Sequence, residues 1–244
     1  MGWLSDWAKR IEIIIDNTNI DSDLTHFPVP IVLGTSVGQA DDDVSCVFDE
    51  LGSDANKKKI AVTKADGITE IYAEIELWDH ANEKALLWVS KSDFVLSSTN
   101  TTSLFLYYDS AQSDNTSYIG EAGDTAAQNV WDSDFIAVYH MAQDPSGGAD
   151  CILDSTSNEN HGTPNGSMVS GDSVDGLLGK AINFNGSDAY IELNEITGDI
   201  SSSDNFTIQK VFRTTTKATT YDRNKIMFSL HDSGGSTNIL RNGI

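Results

Sequence analysis

The chain is poor in the features that mark most of the obvious function classes. Only 15 Lys and Arg stand against 37 Asp and Glu in 244 residues, a formal net charge of −22. Nucleic acid or an anionic membrane surface would be repelled by that balance unless a local basic patch existed. The basic clusters are Lys57, Lys58 and Lys59 and a thinner scatter from Lys210 to Arg223, neither interleaved with aromatics as a nucleic-acid groove is. They read as solvated loops, and nucleic acid is not an expected partner. No apolar run approaches the ~20 residues that cross a bilayer. The longest, Ile11 to Ile15, is strand-sized, so membrane insertion is not expected either.

Other absences narrow the chemistry. Cys46 and Cys151 lie in different halves of the chain without the close pairs of a zinc site, and are expected to be unlinked thiols. His26, His80, His140, His161 and His231 are scattered, with no helical i,i+4 pair to hold a metal. There is no phosphate-cradling Gly-Lys-Ser/Thr loop and no dinucleotide fingerprint. Met1 to Arg10 lacks the basic, apolar and small-residue regions of a secretory signal. The expectation is a protein used without classical export, as in a virus particle assembled in the cytoplasm, or one whose leader has been removed.

What is present is β pattern. Arg10–Asp16, Val29–Leu33, Ser45–Asp49, Ile60–Thr63, Ile68–Leu77, Ala85–Val89 and Ser103–Tyr108 read as short strands between polar turns. Ile71, Ala73, Ile75 and Leu77 alternate with Glu70, Tyr72, Glu74 and Glu76, which predicts a half-buried strand with the acids facing water. Helical periodicity is confined to Leu4–Arg10 and Gly123–Val130. The apolar alternation lapses between Tyr108 and Val130, which places a junction there. Beyond it, Ile136–Met141, Lys180–Phe184, Ala189–Leu193, Phe206–Phe212 and Lys225–Leu230 read as strands divided by Asn-Gly and Gly-Gly signals. Regularly punctuated strands with almost no helix predict an all-β chain of sandwiches or jelly rolls.

Particular residues carry a resemblance in each half. Trp7-Ala8-Lys9-Arg10-Ile11, Leu24-Thr25-His26-Phe27-Pro28-Val29, Glu74-Ile75-Glu76-Leu77-Trp78, Ala85-Leu86-Leu87-Trp88-Val89 and Leu106-Tyr107-Tyr108 stand in the order of a family of unknown function that precedes jelly rolls in bacterial and phage surface proteins. The chain resembles that family over roughly residues 3–110, departing at Tyr108-Asp109, where the family pattern has Gly and Asn. Val130 to Phe135, Val138-Tyr139-His140-Met141, Asp154 to Asn158, Gly179 to Gly186, Tyr190 to Leu193 and Phe206-Thr207-Ile208 resemble a concanavalin-A-like, laminin-G-like jelly roll from about residue 129 to the end. The resemblance implies a domain at 1–110, a linker at 111–128 and a jelly roll at 129–244, the last expected to be incomplete at its C-terminal side, with an open β edge that a neighbouring chain could complete.

Three candidate sites follow. Asp154, Thr156, Asn158 and Asn160 place oxygen side chains at alternate positions, as calcium loops do, with Asp188 as a distant further ligand. A turn held by side-chain-to-backbone hydrogen bonds accounts for the same pattern. Glu74 and Glu76 set two carboxylates at i,i+2, superficially like the acid strand of laminarinase-like glycoside hydrolases, where the carboxyls stand ~5 Å apart in a cleft. They lie in the first domain, whose resemblance makes them an ordinary strand, so no catalytic residue and no enzyme is expected. Trp78, Trp88, Trp131, Tyr107, Tyr108, Tyr139 and Tyr190 could stack on sugar rings if exposed.

The expected function is a non-catalytic surface protein of the virion decoration or tail-fibre type. It would bind a glycan or receptor protein and assemble with itself or with other virion proteins, at the virion surface or the cell exterior. Alternatives are a secreted or cell-surface bacterial adhesin, or accessory binding domains of a polysaccharide-active enzyme. Calcium is the one cofactor the pattern suggests.

Overall fold

The computed structural model describes residues 2–177, 179–193, 196, 205–213, 226–231 and 238–243. The strands are β1 (Lys9–Ile15), β2 (Leu24–Thr25), β3 (Val29–Leu33), β4 (Ile60–Lys64), β5 (Glu70–Asp79), β6 (Lys84–Ser90), β7 (Val95–Leu96), β8 (Thr102–Tyr108), β9 (Ile119–Gly120), β10 (Thr163–Asn165), β11 (Ser173–Asp175), β12 (Lys180–Ile182), β13 (Tyr190–Glu192), β14 (Ile226–His231) and β15 (Asn238–Gly243). Two short helices, α1 (Cys46–Leu51) and α2 (Thr125–Gln128), interrupt them. The chain is therefore all-β in character, and among the described residues no helix is long and apolar enough to cross a membrane.

The principal sheet runs β1-β8-β4-β5-β6-β3, with β9 added to β5. Its ladders are antiparallel except β5–β9. Period-two alternation sorts its side chains: Ile60 and Val62 of β4, Ile71, Ala73 and Ile75 of β5, Leu87 and Val89 of β6 and Leu104 and Leu106 of β8 enter one core. Ile11, Ile13 and Ile15 of β1 pack against the same core that buries Val29, Ile31 and Leu33 of β3. Since β1 and β3 are the two ends of the strand order, the sheet must curl to bring them together.

α1 closes the curl. Ser45–Asp49 reads as a strand in the sequence, yet Val47, Phe48 and Leu51 fall on one helical face, and all three are buried in the core. Gly52 ends the helix in the left-handed region (φ 70) and returns its N–H to the Phe48 carbonyl. The i, i+1, i+4 spacing with a terminal Gly outweighs the β preference of Val47 and Phe48.

The opposite face of the sheet is covered too, at one end by the N-terminal segment. Leu4–Arg10, expected as a helix, instead turns and enters β1 at Lys9. Leu4 and Trp7 pack on Ala61, Phe105 and Tyr107. Arg10, paired across the ladder with Tyr107, sets its guanidinium 4.2 Å from the Trp3 ring centroid and 4.0 Å from that of Phe105. Its Nη1 donates to the Gly2 carbonyl and to the Tyr107 hydroxyl, which in turn donates to the Gly67 carbonyl at 2.8 Å. Gly67 sits at φ 74, and a Cβ there would stand 2.3 Å from the Gly2 carbonyl oxygen. No other residue type permits that approach.

Residues 111–128, expected as a linker, carry β9 and α2 and join the sheet. Ile119 and Ala127 are fully buried, and Gly120 pairs with Glu74. Lys57 and Lys58, expected as a solvated patch, pair with Glu121 at 2.6 Å and Asp124 at 2.7 Å, and Lys59 donates to the Ser110 carbonyl.

The downstream chain is lighter in secondary structure. β10–β13, β11–β12 and β14–β15 are separate two-stranded antiparallel ladders. Ile136–Met141, expected as a strand, instead bonds to a loop: Val138 N–H donates to Asp154 Oδ1, and the Val138 carbonyl accepts from Ser155 N–H. Phe206–Phe212, also expected as a strand, joins no ladder.

Tyr107→Phe tests the N-terminal strap. Removing a fully buried hydroxyl that serves Arg10, Leu4 and Gly67 is expected to cost about 1–3 kcal/mol in urea unfolding with an unchanged slope. A change below a few tenths of a kcal/mol would mean that the strap contributes nothing to the fold.

Candidate functional site

Where the outer face of β5 meets the chain after α2, the structure assembles a buried cluster of two carboxylates, an imidazole and two indoles. A bulge in β5 builds its floor. Ile75 faces Leu87 of β6 and Leu77 faces Leu86, so Glu76 is the extra residue. Past the bulge the alternation reverses, and Trp78, not Leu77 as the sequence pattern predicts, packs on the inner core and meets Phe48 with tilted rings 5.2 Å apart. Glu74 and Glu76 both stay on the outer side.

That side does not face water. Glu74 is 0% exposed. Its Oε1 accepts the Ser155 hydroxyl at 2.5 Å and its Oε2 accepts the Trp131 indole N–H at 2.7 Å. Glu76 Oε2 accepts the Trp88 indole N–H at 2.6 Å. His140 lies between the carboxylates, Nδ1 3.0 Å from Glu76 Oε2 and Nε2 3.2 Å from Glu74 Oε2. The Nε2 contact is an ion pair in range but not an aligned hydrogen bond. Trp88 stacks on the imidazole at 6.0 Å, Trp131 lies at 5.9 Å, and Phe135 meets Trp131 edge-on at 5.2 Å. Gly179 passes so close over Glu76 that a Cβ there would sit 3.1 Å from its Oε1.

The electrostatics follow. Burial alone would lower the basicity of His140, but the Glu74 and Glu76 carboxylates outweigh it and raise its pKa from 6.5 to about 9. At neutral pH the site therefore holds one imidazolium between two acids. Such a cluster is costly to desolvate and is tolerable only because nearly every polar atom has a partner. Backbone strain accompanies it: Met141, next to His140, is held at φ 55, a left-handed conformation that costs a non-Gly residue on the order of 1 kcal/mol.

The acid pair is thus present, but each acid is engaged by an indole and by His140 instead of opening on a cleft. Of the aromatic residues considered for sugar stacking, Tyr107 and Tyr108 are buried in the sheet, Trp88 and Trp131 belong to the cluster, and Tyr139 donates its hydroxyl to the Asn160 carbonyl. Tyr190 is the exposed one, at 52%.

The Asp154 loop is a self-bonded turn. Asp154 is 0% exposed; its Oδ1 accepts the N–H groups of Val138 and Thr156, and its Oδ2 accepts the Thr156 hydroxyl and the Asn160 N–H. Asn158 and Asn160 donate their side-chain amides to the Phe135 and Ile136 carbonyls. Asp188 is engaged elsewhere, by Ser167 and Asn185. Among the described residues no three His, Cys, Asp or Glu converge as metal ligands. The loop places Ser155 on Glu74, so its rigidity serves the cluster. Both cysteines are free, Cys46 standing 3.4 Å from the Tyr108 hydroxyl.

His140, Trp131 and Ser155 do not declare themselves as partners of Glu74 in the sequence, because the hydrogen-bonded pairs lie 57 and 81 residues apart. The one signal in the sequence is the oddity of two acids in the middle of β5, the longest strand among the described residues.

Replacing Glu74 with Leu strands the imidazolium and two donors, and is expected to cost about 3–5 kcal/mol in urea unfolding. Adding His140→Leu is expected to restore part of that loss, since it removes the imidazolium and leaves Glu76 held by the Trp88 indole N–H. A near-neutral single substitution would contradict the cluster's role in holding the chain together. No family model matches the sequence, and no curated protein and no solved structure is significantly similar to it.

Proposed function

We propose that the chain is a non-catalytic surface protein of the virion decoration or tail-fibre type, a rigid acidic β platform that presents loops and sheet edges to a glycan, a receptor protein or further copies of itself. The observation that carries the reading is the engagement of the Glu74–Glu76 pair. Acids poised for glycoside hydrolysis flank a cleft that admits substrate, whereas Glu74 is closed over by Trp131, Ser155 and His140. What this arrangement does is join distant stretches of chain. A formal net charge of −22 suits a protein that stays dispersed outside its contacts. The reading of residues 129–244 as a laminin-G-like jelly roll rests on the sequence resemblance and is supported by the antiparallel β10–β13 and β11–β12 ladders. Tyr190, exposed on β13, offers a flat face of the kind that stacks on a pyranose.

Two measurements test the proposal. Immunogold labelling of native particles and cell fractions is expected to find the protein in repeated copies on a particle surface; confinement to the cell envelope would overturn the virion reading. Assayed on a panel of oligosaccharides, wild type and Glu76→Gln are both expected to show no turnover. Hydrolysis by wild type that Glu76→Gln abolishes would overturn the non-catalytic claim.

A further inference from the structure

We infer that His140 is a proton-operated clasp: protonated, it holds residues 129–160 against the sheet by bridging Glu74 and Glu76, and on losing its proton it loosens that docking. The inference is independent of what the surface binds.

It rests first on the chemistry of the ring. An imidazolium carries an N–H on each nitrogen, and the two nitrogens here face two different carboxylates, 3.0 and 3.2 Å away. A neutral imidazole keeps one N–H. Whichever nitrogen loses its proton then points a lone pair at a carboxylate oxygen, in a site from which water is excluded. One contact of the pair becomes repulsive, and among the described residues the groups seen against the ring include no second cation: β5 faces it with Glu74 and Glu76, β6 with Trp88, and the chain after α2 with Trp131. Ser155 is already committed to Glu74.

Position supplies the second argument. The carboxylates belong to the sheet and the imidazole to the docked segment, so the proton is shared across the joint, not within either part. Histidines buried at such joints are the groups through which pH is coupled to packing. Because the folded-state pKa, about 9, exceeds the unfolded value of 6.5, the clasp's contribution is whole below about pH 6.5 and is withdrawn as pH rises through about 9.

The test titrates the full chain from pH 6 to 10.5, following the His140 imidazole by NMR and tryptophan emission by fluorescence, since an imidazolium against an indole quenches it. The imidazole midpoint is expected near 9, with an emission step at the same pH that His140→Gln lacks. Thermal unfolding of wild type is expected to drop between pH 7 and 10 by roughly 5 °C more than that of His140→Gln. Limited proteolysis within residues 132–160 is expected to quicken at least about tenfold over the same interval in wild type. An imidazole midpoint at or below 8, or equal pH profiles in wild type and variant, overturns the clasp. If His140→Gln does not fold, the wild-type NMR midpoint decides alone.

Discussion

A carboxylate with no exposed surface has to be neutralised or bonded on every side, and Glu74 is bonded on every side by residues that lie far from it in the chain. The constraint propagates outward. Trp131 must stand at the end of α2, which fixes α2 and the β9 strand before it. Ser155 must stand on a rigid turn, which Asp154 supplies by using both carboxylate oxygens twice. His140 must reach back between two acids, and the backbone bends through a left-handed Met141 just beyond it. The all-β platform and the docked segment are consequences of one polar requirement as much as of apolar burial.

The two faces of the sheet are solved by different physics. On the inner face, alternating Ile, Leu and Val side chains need only a lid, and α1 provides it with Val47, Phe48 and Leu51. On the outer face the apolar cluster is small, Ala61, Phe105 and Tyr107 with Leu4 and Trp7 against them. There the chain uses directional interactions: the Arg10 guanidinium against Trp3, Phe105 and Tyr107 at one end, and the His140 bridge beneath two indoles at the other. A buried polar assembly of this sort contributes little net stability compared with an apolar one, yet it accepts only one geometry.

Sequence patterns reached most of the first sheet. β1, β3, β4, β5, β6 and β8 coincide with expected strands, because each repeats apolar residues with period two against a single core. They did not reach the Glu76 bulge, since an extra residue in a strand leaves no mark in composition, and this exchanged Trp78 for Leu77 on the inner face. Nor did they reach the burial of Glu74. A half-buried strand and one covered by later chain carry the same alternation, and only the partner, 57 or 81 residues on, distinguishes them. Ser45–Asp49 alone has the composition of a strand, and the residue that makes the segment a helix, Leu51 on the face of Val47 and Phe48, lies beyond it.

If the cluster makes residues 129–160 one cooperative unit with the sheet, native-state hydrogen exchange will register a single opening for both. At about pH 6.5, where His140 holds its proton, the buried amides of Ser155, Thr156 and Asn160 are expected to exchange only through the same global opening as those of Ala73 and Leu106, with equal free energies and equal denaturant dependence. Exchange of the first group by a separate, lower-energy opening, with the sheet still protected, would contradict it.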